Sequence, residues 1–184
     1  MRPETIKLLR DTGTVLSAVE LGQIVDTDRE TVNNWNRRDI ITRFAPAGRR
    51  LKTRLYSIEE VYKTALMKEL MELRIGPSAA REAVNAIWKQ WNKKEAPEGW
   101  SIYAVLMPSS SALWTAALCS RKNGMGPFYK YKTAKSTDSK TLDEMELPTK
   151  PFMTIPISDV FDRVSGKLSE LLGETKNHGA KGVP

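Results

Sequence analysis

Glu30-Thr31-Val32-Asn33-Asn34-Trp35-Asn36-Arg37-Arg38-Asp39-Ile40-Ile41 is the stretch on which the reading of this chain turns. Val32 and Trp35, three residues apart, share one side of a helix, so Asn33 and Asn34 point away from that side. Thr27 followed three residues later by Glu30 makes a helix-start box: the hydroxyl satisfies an orphan amide and the carboxylate reaches back to the cap. It predicts a helix through about Arg37. Ser17 with Glu20 opens an earlier helix, through about Val25, with Val19, Leu21, Ile24 and Val25 as its apolar residues. Only Asp26 and Thr27 lie between, so the two helices must cross at a tight angle, with helix-turn-helix spacing.

Downstream, Ile40 and Ile41 close the unit. Thr42 to Thr53 carries Pro46, Gly48 and several basic residues before the strand-like Arg54-Leu55-Tyr56, which reads as a basic hairpin, or wing. Ser57 with Glu60 caps a third helix, where Ile58, Val61, Tyr62, Ala65, Leu66 and Leu73 recur at near-helical spacing. Gly76-Pro77 stops it. Ser78 caps a fourth helix through about Asn92, with Ala83, Val84, Ile87, Trp88 and Trp91 along one stripe, and 93–99, containing Pro97 and Gly99, reads as a linker.

Charge singles out the same region. The 184 residues carry a formal +7, but residues 29–54 alone hold eight basic side chains against Glu30 and Asp39, a local +6. Such a patch fits a polyanion partner. One cysteine, Cys119, and one histidine, His178, exclude a disulfide framework and leave no usual transition-metal ligand set, so no metal and no cofactor are expected. No apolar run approaches the roughly 18 residues a membrane span requires, and no apolar signal core begins the chain. A cytoplasmic, nucleoid-associated protein with no membrane partner is the expectation.

From Trp100 the character changes. Trp100 to Met107 and Ala112 to Cys119 are apolar runs separated by the turn-prone Pro108-Ser109-Ser110-Ser111, which reads first as a β-hairpin, although the alanine-rich second run also suits a short buried helix. Phe128 to Lys132 adds a candidate strand, 133–150 is polar and loop-like, and Met153 to Ile157 is strand-like, with Pro156 pushing it to a sheet edge. Ser158 caps an amphipathic helix bearing Val160, Phe161, Val164, Leu168, Leu171 and Leu172, and Gly173 ends it. The division expected is an arm over 1–14, a DNA-binding unit over 15–92, a linker over 93–99, an interaction module over 100–173 and a disordered tail over 174–184.

Taken with Arg54-Leu55-Tyr56-Ser57-Ile58-Glu59-Glu60-Val61 and Leu73-Arg74-Ile75-Gly76-Pro77-Ser78-Ala79-Ala80-Arg81-Glu82-Ala83-Val84, the 30–41 stretch resembles MerR-type winged helix-turn-helix proteins. The three motifs match that family's recognition helix, wing strand with the helix start after it, and next helix junction, in order, over residues 15–92. The fold class expected is therefore a mainly α, MerR-like winged helix-turn-helix followed by a small α+β C-terminal module. The resemblance implies double-stranded DNA as partner, and helix geometry assigns the same roles. Asn33 and Asn34 face the major groove, where asparagine reads adenine. Thr31, Arg37 and Arg38 at the helix ends, with Arg49, Arg50, Lys52 and Arg54 of the wing, hold phosphates.

The family usually pairs subunits through a long helix after the DNA-binding unit, whereas strand-like runs follow Trp91 here. Phe161, Val164, Leu168 and Leu171 are then the candidate oligomerisation stripe. It covers either its own sheet or a second copy, and a homodimer is expected because a lone winged unit makes few base contacts. Ser109-Ser110-Ser111 has no base near it in sequence, and Asp143, Glu144 and Glu146 sit in a polar loop, so no enzyme activity is expected. The reading is a sequence-specific DNA-binding protein acting as a bacterial or phage transcriptional regulator. One alternative is a DNA-architectural or phage nucleoprotein-assembly factor, excisionase-like or small-terminase-like, with other DNA-bound proteins as partners. A further one is a protein-interaction module without DNA binding.

Overall fold

In the computed structural model, residues 13–44, 54–91, 100–108, 114–122, 129–130 and 152–179 are described. They form a mostly helical chain with two small antiparallel sheets. Ser17 ends strand β1 (Val15–Ser17) and caps helix α1 (Ala18–Ile24). Its hydroxyl accepts from the Glu20 amide at 3.3 Å while the Glu20 carboxylate accepts from the Ser17 amide at 2.6 Å, the reciprocal box expected from the sequence. Helix α1 ends with Asp26 in the left-handed region, φ 53°, and the Thr27 amide donates back to the Gly22 carbonyl at 2.8 Å. This Schellman closure satisfies the last carbonyls of the helix and reverses the chain at once.

The next helix, α2 (Arg29–Arg37), is capped by Asp28 rather than Thr27. The correction has a physical cause. One Asp28 carboxylate accepts from both the Thr31 amide, at 2.7 Å, and the Thr31 hydroxyl, at 2.6 Å, while Thr27 is drawn back into the closing turn. Helix α2 closes by the same device, with Asp39 at φ 52° and the Ile40 amide donating to the Trp35 carbonyl at 2.9 Å.

Strand β2 (Leu55–Ser57) pairs antiparallel with β1, Leu16 opposite Tyr56. The sequence pattern marked β2 but not its partner, because three residues are too few to show an alternation. Helix α3 (Ile58–Glu72) follows the Ser57 cap. Helix α4 (Pro77–Trp91) begins at Pro77 instead of after Ser78: proline has no amide to leave unsatisfied in a first turn and its φ is already helical.

The second sheet has the order β5-β4-β3-β6. Strands β3 (Trp100–Pro108) and β4 (Trp114–Lys122) form a long antiparallel pair, so the alanine-rich run is a strand from Trp114 onward, satisfied by backbone pairing throughout β4. Strand β5 (Tyr129–Lys130) is the described part of the strand expected over 128–132, and β6 (Met153–Pro156) takes the edge that Pro156 requires. The polar stretch 133–150 lies outside the described residues. Helix α5 (Ile157–Gly179) departs from expectation at both ends. Ser158 does not cap it; the buried Ser158 hydroxyl accepts from the Ile102 amide at 2.8 Å and ties the helix to β3. Gly173 does not stop it either, and 174–179, expected as disordered tail, continue the helix. No helix among the described residues is long and apolar enough to cross a membrane.

One hydrophobic core runs from Leu16 and Val32 through Tyr62, Trp91 and Ile102 to Phe161 and Leu168, on both sides of the expected 93–99 linker. At its centre the Phe161 ring lies 4.9 Å from both Tyr62 and Trp91, in edge-to-face geometry. The Tyr62 hydroxyl meets Ser165 Oγ at 2.6 Å, and since Ser165 donates to the Phe161 carbonyl, Tyr62 is the donor. Burial pushes the Tyr62 hydroxyl pKa up to about 12. Phe161, Val164 and Leu168 are thus buried within their own chain, and Leu171 is half-buried against the same core. These three side chains cover their own core, the first of the two occupants that the sequence left open for the stripe.

Two outcomes test this architecture. Leu168→Glu, which buries a carboxylate in that core, should abolish cooperative unfolding and near-ultraviolet circular dichroism, whereas a folded variant that merely loses a dimer would refute the packing described. At Gly22 a Cβ would stand 2.7 Å from the Thr27 carbonyl oxygen. Gly22→Ala should therefore cost about 1–3 kcal/mol in urea unfolding, as overpacking at an unyielding backbone does.

Candidate nucleic-acid interface

Val32 and Trp35 face the core as their spacing predicted, and Asn36 joins them, 6% exposed, with its amide donating to the Ile41 carbonyl at 3.5 Å. This leaves Arg29, Glu30, Asn34, Arg37 and Arg38 exposed and Asn33 half-buried. Arg29, Asn33 and Arg37 succeed one another every four residues and so form one row along the helix. That row makes one wall of a groove of about 510 Å³, whose other walls are Ser17, Ala18 and Val19 at the start of α1 and the side chain of Arg54. Among the described residues three guanidinium groups and no carboxylate line it. Such a groove attracts an anion, and the fixed fork of arginine suits phosphate or a base edge.

The two asparagines are already engaged. Asn33 Oδ1 accepts from Arg54 Nη1 at 2.8 Å, and Asn34 Oδ1 accepts from Arg37 Nη1 at 3.2 Å. Asn34 points outward as expected, while Asn33 sits lower, beside Arg54. Thr31, expected on phosphate, instead gives both its amide and its hydroxyl to Asp28, an anion that phosphate would have to displace. Arg38 is exposed at the end of α2. Arg49, Arg50 and Lys52 lie outside the described residues, although Phe44 and Arg54 on either side of 45–53 do not. Phe44 bridges Leu55, its amide donating to the Leu55 carbonyl at 2.7 Å.

The described residues before and after 45–53 are joined through Glu60. The Ser57 hydroxyl accepts from the Glu60 amide at 3.2 Å, but the Glu60 carboxylate does not return to the cap. Being 6% exposed, it needs a cation, and it pairs with Arg81 of α4 while accepting from the Thr42 amide at 2.9 Å. Tyr56 is buried behind the groove, and loss of hydration raises its hydroxyl pKa against the opposing pull of Arg54 and Arg43. On the far side, Asp26 in the α1–α2 turn pairs with Lys167 of α5, a bond that lowers its carboxyl pKa, and Lys68 donates to the Asp26 carbonyl. Arg163 pairs with Glu69 nearby.

Arg29 was counted in the basic patch but given no role, although its four-residue spacing from Asn33 was visible. The Glu60–Arg81 pair, 21 residues apart, had no sequence signal. Among the described residues no group of His, Cys, Asp or Glu is arranged to hold a metal ion, and Cys119 is buried, its thiol directed at the Tyr103 carbonyl. No protein-family model matches the chain, and no curated protein matches it either.

The cap of α2 gives a pH-dependent test. The Thr31 hydroxyl and amide hold the Asp28 carboxyl below its ordinary value of 3.8. A depressed carboxyl stabilises the fold above its unfolded pKa, and the contribution is lost as pH falls through the lower folded value. Urea midpoints of wild type and Asp28→Ala should separate above pH 3.8 and converge below it. A gap independent of pH would mean that the ionised carboxylate is not what holds the helix start.

Proposed function

We propose that the chain is a sequence-specific double-stranded DNA-binding protein that presents α2 to the major groove, most simply as a transcriptional regulator. The observation that carries this reading is the convergence of Arg29, Arg37 and Arg54 on one groove with no carboxylate in its lining. It supports binding because neutralising backbone phosphates releases counterions, the main source of affinity for a duplex. The order of motifs that resembles the MerR family, and the returning Phe44–Leu55 bridge where a wing would start, point the same way. On this reading 45–53 bring Arg49, Arg50 and Lys52 to the flanking backbone.

A second reading has its own observation. Phe161, Val164 and Leu168 are spent inside their own core. A chain that keeps this stripe to itself suits a protein that works beside other DNA-bound proteins in a nucleoprotein assembly. Genomic footprints confined to promoters favour the regulator; contiguous coverage of one site by several chains favours the assembly factor.

Duplex titrations over a series of salt concentrations test the common premise. Arg29→Ala/Arg37→Ala should bind every duplex more weakly, with the slope of log affinity against log salt flattened by about 0.9 for each phosphate that is no longer neutralised. Wild type that retains no duplex at low salt, or a double variant with an unchanged slope, would remove this groove from a DNA interface.

A further inference from the structure

We infer that Arg54 is the base-reading side chain of this groove, selecting guanine, and that Asn33 is the residue that positions it. The inference rests on the DNA-binding reading above and changes the roles within it. An asparagine that reads adenine must accept from the exocyclic amine through Oδ1 while donating to N7 through Nδ2. Asn33 Oδ1 is already taken by Arg54 Nη1 at 2.8 Å. The orientation of this amide follows from chemistry, because arginine has only donors and the asparagine atom facing it must be the oxygen. Asn33 therefore meets a duplex with one of its oxygen's two acceptor positions engaged and the amide held toward Arg54.

Arg54 has the complementary surplus. A guanidinium carries five N–H donors in a fixed plane, and one bond to Asn33 leaves four. Guanine is the base that offers two acceptors, O6 and N7, side by side in the major groove, and arginine is the side chain that meets both at once. The placement also favours a base over a phosphate. Asn33 is the fifth residue of α2, midway along the exposed row, with Arg29 and Arg37 one turn to either side. A guanidinium held there is over the groove floor, while the two flanking arginines are nearer the strands. Finally, the Arg54–Asn33 bond is half-buried and joins residues 21 apart, so the tertiary fold holds the guanidinium before any ligand arrives; Arg37 and Asn34 are both exposed and on the same helix. Fixing a side chain in its bound geometry reduces the ordering cost of recognition, and that saving is realised where geometry matters most, on a base edge.

Selection of bound duplexes from a random 20-base-pair library, run in parallel on wild type, Arg54→Lys, Arg54→Ala and Asn33→Ala, tests the assignment; circular dichroism establishes that each variant is folded. Wild type should enrich a motif with an invariant guanine. Both Arg54 variants should lose discrimination at that position by about five- to 150-fold, the range for one bidentate pair, and leave the other positions intact. Asn33→Ala should weaken the same guanine and no adenine. A preference for adenine that vanishes in Asn33→Ala but survives in Arg54→Lys would overturn the assignment in favour of direct reading by Asn33. Equal losses at every position in the Arg54 variants would place Arg54 on phosphate. Wild type that retains no library member would overturn the DNA-binding reading itself, and this inference with it.

Discussion

The approach of Gly22 to the Thr27 carbonyl is the contact on which the functional face depends. Two helices joined by only the four residues Val25 to Asp28 have few ways to cross, and the Schellman closure with Asp26 at φ 53° selects one. At that crossing any β-carbon at position 22 meets a carbonyl oxygen at 2.7 Å. Once the turn is set, Val32 and Trp35 fall into the core and the row Arg29, Asn33, Arg37 faces outward beside the start of α1. A different crossing angle would leave the same arginines on the helix with no second wall, and the groove would become a convex surface.

The turn is held from behind as well as from within. Lys167 of α5 pairs with the Asp26 carboxylate and Lys68 of α3 donates to its carbonyl, while Phe161, Tyr62 and Trp91 join the same elements through the core. The exposed ion pairs contribute little stability, as surface pairs generally do. The aromatic cluster contributes far more because it removes large apolar surfaces from water. The N-terminal helices and the C-terminal sheet consequently share one core, and the placement of the α2 groove is tied to the packing of a helix more than a hundred residues further on.

On the groove side, polar groups are matched to one another before any ligand enters. Asn33 and Asn34 each supply a carbonyl oxygen to an arginine, and Asp28 satisfies the first amides of α2. The Glu60–Arg81 pair does the same for the root of the basic loop, by holding the Thr42 amide. Groups fixed by internal hydrogen bonds lose little freedom on binding, which favours selective contact over adaptable contact.

Local chemistry in the sequence determined the helix starts at Ser17 and Ser57, the side of α2 that faces the core, the β3–β4 hairpin as first reading, and the edge position of β6. Each depends on residues within one or two turns of the chain or on a period of two. Where a neighbouring residue could also begin the helix, local chemistry pointed one residue too far or too early: to Thr27 instead of Asp28, to Ser78 instead of Pro77, to Ser158 instead of Ile157. Only the tertiary structure shows which carboxylate or hydroxyl has a competing partner, as Ser158 has in the Ile102 amide and Glu60 in Arg81. The same limit governed the site and the stripe. Spacing placed Asn33 on the exposed face, but its amide oxygen is bonded to Arg54 across 21 residues, and periodicity gave Phe161, Val164 and Leu168 an apolar face without saying what covers it. A period reports that a surface must leave water; only the fold, which brings distant surfaces together, decides which one meets it.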